Sequence, residues 1–307
     1  MALRIRMPKL MLALVLALGL PCAGAAADEV PSAKLKLQSS AALVLDQGSG
    51  RVLYGKNTHA IVPIASITKL MTAMVVLDAN LDPNEPVAIT EDDVDNLRGT
   101  HSRLKVGTAL AREDLLRLAL MASENRAASA LARAYPGGRE SFVQAMNLKA
   151  QLLGMSGSRF SDSTGLSSAN VSTAEELSRL VSEAYRYDKI REHTTAAGYE
   201  VNAGGRRLAF RNTNGLVSSR GWDIGVSKTG FINESGRNLV MQATLAGRAV
   251  VIVLLNSWGK YSRQGDAQRI RKWLEVAAGV APAPRRTVSG RARRHLSSSA
   301  TGGDPSG

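Results

Sequence analysis

Residues 224–256 read IGVSKTGFINESGRNLVMQATLAGRAVVIVLLN, and this stretch decides the fold class. It contains three runs rich in β-branched and other apolar residues, a composition typical of strands: Ile224–Phe231, Leu239–Leu245 and Val250–Asn256. Ala246-Gly247-Arg248 separates the last two runs, which predicts a hairpin. The stretch therefore predicts the strand-rich end of a domain.

Strands are also predicted near the other end of the chain, with helices in between. Ala41–Leu45 and Val52–Tyr54 are short apolar runs on either side of a Gln-Gly-Ser-Gly turn. The segments between the two strand regions, and one after the last strand, have the pattern of helices: Ser66–Asp78, Arg112–Ala134, Glu140–Leu153, Thr173–Tyr185 and Ala267–Ala278. An antiparallel sheet that pairs the first and last strand segments, with a helical cluster packed on it, satisfies this order. We therefore expect an α+β fold.

The two ends of the chain are predicted to lie outside this domain. Basic residues precede the apolar run Leu10–Leu20, which is too short to span a bilayer, and small residues follow it. Residues 1–27 are therefore predicted to be a secretory signal peptide, with an uncleaved membrane anchor as the alternative. Residues 28–39 would be a polar leader, residues 40–278 the folded domain and residues 279–307 a disordered basic tail. Signal cleavage would leave no transmembrane anchor and predicts a periplasmic protein.

Composition excludes several kinds of chemistry. The chain has 307 residues and a single cysteine, Cys22, within the predicted signal peptide, so the mature protein would have no disulfide and no thiol nucleophile. The histidines lack the spacing of zinc peptidases and no dinucleotide or phosphate-binding motif occurs, so we expect no metal and no cofactor. A formal net charge of +13 favours polyanions. Because no nucleic-acid motif is present, we do not expect nucleic acid as a binding partner. The polyanion would be a carboxylate-rich cell wall, or the basic charge would serve solubility alone.

Three short motifs, in one order along the chain, predict a catalytic site. They are Ser66-Ile67-Thr68-Lys69, Ser123-Glu124-Asn125 and Lys228-Thr229-Gly230. Together they supply a nucleophilic serine, two lysines and a second serine with an amide partner, which is the inventory of serine acyl transfer with lysine as the base. Each motif alone is weak, since S-x-x-K also occurs at Ser257–Lys260 and S-x-N at Ser168–Asn170. Neither of these repeats keeps the order, and the order carries the prediction.

The first motif places a nucleophile beside a base. Ser66 and Lys69 are three residues apart on a predicted helix that begins at Ser66, so their side chains share one face. A serine hydroxyl needs a base to remove its proton. Lysine can act as that base only if burial or a nearby positive charge, such as Lys228 across the same cleft, lowers its pKa.

The other two motifs predict proton transfer and substrate binding. Ser123, in the middle of a predicted helix, would shuttle a proton; the alternative is a serine that merely bonds a backbone carbonyl one turn back. Asn125 would orient substrate amides. Lys228 and Thr229 on a strand edge can hold a substrate carboxylate, although an edge-strand lysine often serves only to discourage aggregation. Gly230 would let another part of the backbone approach closely.

These motifs resemble the penicillin-recognising serine peptidases, and longer segments resemble the low-molecular-mass D-alanyl-D-alanine peptidases. The segments that carry this resemblance are Pro63–Met74, Met121–Ala128, Thr164–Ser167 and Lys228–Phe231. The likeness extends from about Ser40 to Ala278. Within the family the chain most resembles the D-alanyl-D-alanine endopeptidases, through Tyr135–Gly138, Arg211–Asn214 and Gly259–Tyr261. Typical carboxypeptidases of the family add a C-terminal β-domain and an amphipathic anchor, where this chain has its predicted tail.

The resemblance implies a five-stranded antiparallel sheet with an inserted helical subdomain, and it implies residue roles. Ser66 would form the acyl-enzyme, Lys69 would be the general base and Ser123 would relay the proton. The substrate would be bound by Asn125, Lys228, Thr229 and Gly230. The oxyanion hole would be formed by the N–H groups of Ser66 and Phe231.

The function implied is a peptidoglycan D,D-endopeptidase that hydrolyses D-alanyl cross-links between stem peptides during cell-wall remodelling. β-Lactam antibiotics would be covalent inhibitors. A D-alanyl-D-alanine carboxypeptidase with the same site is the alternative. A β-lactamase and a non-catalytic penicillin or cell-wall sensor are further alternatives; no clear glutamate for deacylation supports the first, and the complete set of catalytic residues argues against the second.

Overall fold

The structure, a computed structural model, describes residues 35–280. The predicted signal peptide, residues 28–34 of the predicted leader and the predicted tail from residue 281 onward lie outside the described residues. The helices described are α1 Thr68–Asp78, α2 Arg112–Met121, α3 Asn125–Arg133, α4 Gly138–Leu152, α5 Ala174–Ala184, α6 Asp188–Thr195 and α7 Ser262–Ala277. The strands are β1 Ala41–Asp46, β2 Val52–Lys56, β3 Val62–Pro63, β4 Pro86–Ala88, β5 Ala109–Ala111, β6 Val171–Ser172, β7 Gly198–Ala203, β8 Arg206–Arg211, β9 Asp223–Ile232, β10 Gly236–Leu245 and β11 Arg248–Ser257. Within residues 35–280, no helix combines the length and the apolar character needed to cross a membrane.

Five strands form one antiparallel sheet in the order β2-β1-β11-β10-β9. β1 pairs with β11, with Ala41 opposite Leu255, so the first and last strands of the domain are neighbours as predicted. β10 pairs with β11 on one side and with β9, the strand that carries the third motif, on the other. The predicted α+β fold with a five-stranded antiparallel sheet is confirmed, and β9 is an edge strand of that sheet.

Strand β11 lies at the centre of the sheet and is buried on both faces. Successive side chains of a strand point to opposite faces, so alternate residues of β11 enter two separate apolar cores. Val251, Val253 and Leu255 belong to the core shared with the helical subdomain. Ile252 and Leu254 belong to the core under α7. Full burial of each such side chain contributes about 1.5–3 kcal/mol, and this explains why the run from Val250 reads as continuously apolar.

Helix α1 runs through the interior of the helical subdomain. Its residues from Thr68 to Val76 are all buried, which explains why its sequence is apolar all round and lacks a polar face. Three polar side chains, those of Thr68, Lys69 and Thr72, are buried with the rest. Lys69 is only 1% exposed, and the Thr72 hydroxyl donates to the carbonyl of Ser163 at 2.7 Å. Burial along its whole length fixes the position of the first motif.

The prediction of one helix from Arg112 to Ala134 is wrong. The chain forms α2, turns at residues 122–124 and begins again as α3. Ser123 in this turn has a left-handed backbone with φ of +59°. The Glu124 carboxylate caps α3 by accepting from the backbone N–H of Ala127 at 2.8 Å. The local sequence consists of good helix formers without glycine or proline, so tertiary contacts, rather than propensity, impose the break.

Two further details differ from the sequence prediction. Ser66 lies in a short 3-10 helix, Ala65–Ile67, and α1 begins only at Thr68. Helix α6 and the hairpin β7–β8 were not predicted. The hairpin strands alternate exposed polar residues with a few half-buried or buried apolar ones, and this weak pattern explains why they were missed.

The residues before β1 pack onto the domain. Leu37 is buried in the core under α7. Ser39 is fully buried and donates its backbone N–H and its hydroxyl to the Asp266 carboxylate at 2.8 and 2.7 Å. Asp266 lies on α7, so this contact ties the entry of the chain to its last described helix.

Candidate active site

The first motif forms a serine–lysine pair at the start of α1. Lys69 Nζ donates to Ser66 Oγ at 3.0 Å. Ala65, just before the serine, has a left-handed backbone with φ of +49°, and its carbonyl accepts from the Thr68 hydroxyl at 2.8 Å. Such a backbone in a residue other than glycine is strained by about 1–3 kcal/mol and occurs preferentially at functional sites. The predicted contact between nucleophile and base is therefore present.

Lys69 is held by two further acceptors. Its Nζ donates to Asn125 Oδ1 at 2.7 Å and to the Thr164 carbonyl at 2.5 Å. Burial lowers the pKa of Lys69 from its ordinary 10.5 to about 8, against the opposing effect of the Asp162 and Glu124 carboxylates. A neutral amine has two N–H donors and one lone pair. With both donors directed at Asn125 and Thr164, the lone pair is left for the hydroxyl proton of Ser66.

The second motif meets the third. Lys228 Nζ donates to Ser123 Oγ at 2.9 Å and to the Thr229 carbonyl at 3.0 Å. Ser123 is thus hydrogen-bonded to a lysine of the third motif and lies in a turn. It is therefore not a serine in the middle of a helix that merely bonds a backbone carbonyl one turn back. Burial, followed by the charges of Lys69 and Arg263, holds the pKa of Lys228 well below its ordinary value. The charge of Lys69 contributes to the low pKa of Lys228, whereas burial is the cause that lowers the pKa of Lys69.

Two glycines let the surrounding backbone close on the serine turn. A Cβ on Gly230 would lie 2.8 Å from the Ile64 carbonyl and 3.1 Å from the Ser66 nitrogen. The close backbone approach predicted at Gly230 is confirmed. On the other side, a Cβ on Gly165 would lie 2.0 Å from the Ala65 carbonyl oxygen, and its φ of +78° is itself one that favours glycine. Strand β9 and the loop around residue 165 therefore both pack directly on the nucleophile turn.

Asp162 organises this loop and was missed by the sequence analysis. Its Oδ1 accepts from the backbone N–H groups of Thr164 and Gly165 at 2.6 and 2.7 Å, and its Oδ2 from Ser167 at 3.0 Å. The loop in turn supplies the Thr164 carbonyl that binds Lys69. An Asp two and three residues before such N–H groups is the pattern of a side-chain-stabilised turn, and that pattern was the available clue.

The two repeated motifs have structural roles instead. Asn170 is fully buried and its Oδ1 accepts from the Ser161 backbone at 2.8 Å, bracing the loop. Ser257 ends β11 and donates its hydroxyl to Ser262 at 2.9 Å, while Lys260 is exposed. Order along the chain was therefore the right criterion for choosing among the motif matches.

The substrate-binding residues of the prediction line the same region. Asn125, besides accepting from Lys69, donates its Nδ2 to the Thr100 hydroxyl at 3.0 Å. Thr229 donates its hydroxyl to Thr213 at 2.7 Å. Phe231 follows on β9 with its ring half exposed. Within residues 35–280 no group of His, Cys, Asp and Glu is placed to hold a metal ion.

Two serine–lysine pairs, with buried lysines and partly buried serines, lie between a helical subdomain and a sheet edge and define a serine acyl-transfer enzyme. The chain belongs to the D-alanyl-D-alanine carboxypeptidase family of serine peptidases, whose profile matches residues 27–259. The resemblance inferred from the motifs is thereby confirmed.

Two individual relatives are D-alanyl-D-alanine endopeptidases. The chain is 47% identical over 256 residues to a D-alanyl-D-alanine endopeptidase of Pseudomonas aeruginosa, which covers 81% of this chain and 83% of that protein. It is 38% identical over 305 residues to a D-alanyl-D-alanine endopeptidase of Escherichia coli, covering 96% and 98%.

Solved structures show the same fold. The DD-transpeptidase of a Streptomyces strain matches with a TM-score of 0.73 and 29% identity, over 78% of this chain and 98% of that one. A penicillin-binding protein of Listeria monocytogenes, in its cefotaxime-bound form, matches with a TM-score of 0.70 and 28% identity, over 80% and 99%.

Proposed function

We propose that this protein is a peptidoglycan D,D-endopeptidase that hydrolyses D-alanyl cross-links between stem peptides through an acyl-enzyme on Ser66. The acyl-transfer chemistry is supported by the 3.0 Å contact between Ser66 Oγ and Lys69 Nζ. Burial lowers the pKa of this lysine to about 8. The endopeptidase specificity is supported by the two relatives above, both named D-alanyl-D-alanine endopeptidases.

In the first step the serine attacks the D-alanyl carbonyl. Neutral Lys69 takes the hydroxyl proton, Oγ forms the new C–O bond, and the N–H groups of Ser66 and Phe231 stabilise the developing oxyanion. The leaving amine needs a proton, and Ser123, held by Lys228 at 2.9 Å, relays one to it. The amine-bearing stem peptide then departs and the D-alanyl ester remains on Ser66.

A substrate carboxylate would help prepare the base. Lys228 and Thr229 are placed to hold this carboxylate, and an anion beside Lys228 favours the charged form of that lysine. A charged Lys228 in turn disfavours charge on Lys69, since the two already interact electrostatically. Substrate binding therefore moves the proton of the pair towards Lys228 and leaves Lys69 free to accept one from Ser66.

The second step is hydrolysis. Lys69 is neutral again once its proton has passed through Ser123 to the departed amine, and a water molecule takes the place of that amine. The water loses a proton to Lys69 and attacks the ester carbonyl, the C–O bond to Ser66 breaks, and Lys69 returns the proton to the Ser66 oxygen as the D-alanyl carboxylate is released. A β-lactam would acylate Ser66 in the same way. Because its leaving amine stays tethered to the acyl group, water is kept out and the adduct persists.

The same site would serve a D-alanyl-D-alanine carboxypeptidase, and the family description favours that second candidate. The two differ only in the leaving group, which is free D-alanine for a carboxypeptidase and a second stem peptide for an endopeptidase. A β-lactamase ranks below both because the sequence offers no clear glutamate to drive deacylation, and a non-catalytic sensor ranks below both because the site holds a complete serine–lysine nucleophile.

We also propose a cellular location and a domain organisation for the protein. Residues 1–27 would direct export to the periplasm, residues 40–278 would form the peptidase domain, and the arginine-rich residues 279–307 would attract acidic wall polymer. The partners of the mature protein would be peptidoglycan stem peptides and, as inhibitors, β-lactam antibiotics.

Digestion of purified cross-linked murein tests the proposal. The mature protein should convert cross-linked dimeric muropeptides to monomers, and Ser66→Ala should leave the dimers intact. Release of D-alanine without loss of dimers would make the protein a carboxypeptidase. Covalent penicillin binding with no change in any murein product would make it a sensor.

A further inference from the structure

A cavity of about 240 Å³ opens beside the catalytic cluster. The turn that carries Ser123 and Asn125 forms one wall, and both residues contact the catalytic lysines. The opposite walls come from residues 101–103 and from the end of β8. A molecule bound at Ser66 therefore has an adjoining space into which it can extend.

Two arginines line this cavity without carboxylate partners. Arg103 is fixed in place, because it donates to the Ala209 carbonyl at 2.7 Å and its guanidinium lies 3.9 Å from the centre of the Phe210 ring. Its remaining N–H groups are left for another acceptor. Arg211 is exposed. Among residues 35–280, no Asp or Glu forms an ion pair with either arginine.

The only carboxylate in the cavity wall is already occupied. Glu124 is 7% exposed and its carboxylate accepts from the Ala127 backbone as the cap of α3. Two arginines outweigh this one carboxylate, so the cavity lining has a net positive charge, and two guanidinium groups that line a common space favour an anion between them. Guanidinium binds carboxylates in a planar, two-point geometry.

The backbone next to Arg211 is held rigidly. Asn212 donates its Nδ2 to the carbonyls of Thr194 and Ala196 at 2.9 and 2.8 Å. The N–H of Thr213 bonds the Met121 carbonyl at 3.1 Å, directly before the Ser123 turn. Arg211 is thus positioned relative to the catalytic turn and is not on a free hairpin tip.

A second cavity continues the first. It has a volume of about 680 Å³, runs along β7 and β8, and shares Phe210 and Arg211 with the smaller cavity. Arg211 stands at the junction of the two, so a chain that leaves the catalytic cluster passes this arginine before it enters the larger space.

We propose that Arg103 and Arg211 form a carboxylate subsite for an acidic peptide, which binds a carboxylate that does not flank the scissile bond. This inference rests on the proposed peptidase function and narrows it. The substrate class is a cross-linked peptide with free carboxylates along its length, and amidation of those groups weakens its binding. The subsite is separate from Lys228 and Thr229, which hold the carboxylate next to the reacting bond.

The test compares two cross-linked dimers that differ only in whether the carboxylates away from the scissile bond are free or amidated. Wild-type protein should cut the free form with a kcat/KM about tenfold higher, through KM, which corresponds to about 1.4 kcal/mol. Arg211→Gln, which leaves Arg103 in place, should lose most of this preference by raising KM for the free form alone, with kcat within about twofold. Arg206→Gln, an exposed arginine on the same hairpin but outside both cavities, should keep the wild-type preference.

Binding without catalysis separates the two proposals. The Ser66→Ala protein should bind the free dimer more tightly than the amidated one by calorimetry, and Ser66→Ala with Arg211→Gln, which leaves Arg103 in place, should lose most of this difference. If the wild-type protein cuts neither dimer, the peptidase function is overturned while this binding comparison still decides the subsite. Equal affinity of Ser66→Ala for the two dimers, or a preference that Arg211→Gln leaves undiminished, would overturn the subsite.

Discussion

Gly165→Ala adds a single methyl group that should both strain the backbone and displace the nucleophile Ser66. Comparison with a glycine at which only the backbone strain applies separates the two effects. Gly165 has φ of +78°, and a Cβ there would lie 2.0 Å from the Ala65 carbonyl oxygen. An ordinary contact needs about 3.4 Å, so the carbonyl or the loop must move by about 1.4 Å. That carbonyl also accepts from Thr68, and Ser66 is the next residue, so the nucleophile should move with it. A misplacement of about 1 Å in a catalytic group costs about 100-fold in rate.

A matched control exists at Gly204. It has φ of +60°, and a Cβ there meets nothing within 4 Å. Gly204→Ala should therefore show only the left-handed backbone cost, about 1 kcal/mol. Gly165→Ala adds the clash, for a total of about 3 kcal/mol. At roughly 2–4 °C per kcal/mol for a domain of this size, Tm should fall by about 6–12 °C in Gly165→Ala and by about 2–4 °C in Gly204→Ala.

The assay is the second-order rate of covalent labelling by a fluorescent penicillin, with Tm measured on the same preparations. Gly165→Ala should label about 100-fold more slowly at a temperature where it is folded, and Gly204→Ala should label at the wild-type rate. Wild-type labelling by Gly165→Ala, with a Tm no lower than that of Gly204→Ala, would refute the packing of this loop on the Ser66 turn.

Three other changes test separate parts of the account. Ser66→Ala should abolish covalent penicillin labelling while Ser257→Ala, in the repeated S-x-x-K motif, retains it; labelling that survives in Ser66→Ala would make another residue the nucleophile. Acidification should protonate the base Lys69, whose pKa burial lowers to about 8, so labelling should be slower at pH 5.5 than at pH 8; a rate that rises on acidification would exclude an amine base. Truncation after Ala278 removes five arginines and one aspartate and should weaken binding to sacculi and its dependence on salt; unchanged binding in a sedimentation assay would leave the tail without this role.

The sheet could be predicted because its strands carry their own signal. β9, β10 and β11 are long and rich in β-branched residues, and burial on both faces of β11 requires the continuous apolar run seen in the sequence. The hairpin β7–β8 could not be predicted in this way, since most of its side chains face solvent. Its position depends on contacts that no local pattern records, such as the bond from Thr213 to Met121.

The site residues were predicted better than their backbone. Motif order selected Ser66, Lys69, Ser123 and Lys228, and the structure joins them through contacts of 3.0 and 2.9 Å. The break in the helix at Ser123 could not be predicted, because a left-handed serine among helix formers is stabilised by Lys228 from a distant strand. Asp162 was missed for the same reason: its effect on Lys69 passes through a loop whose packing only the fold reveals.

Whether the acyl-enzyme on Ser66 serves cleavage of cross-links can be measured by comparing kcat/KM on two substrates. One is a cross-linked dimeric muropeptide, followed by the appearance of monomers; the other is a free pentapeptide, followed by release of D-alanine. The ratio of these constants measures discrimination between the two leaving groups. We expect a clearly larger kcat/KM for the dimer, with both activities lost in Ser66→Ala. A clear preference for the free pentapeptide would contradict the endopeptidase function and identify a carboxypeptidase that uses the same serine.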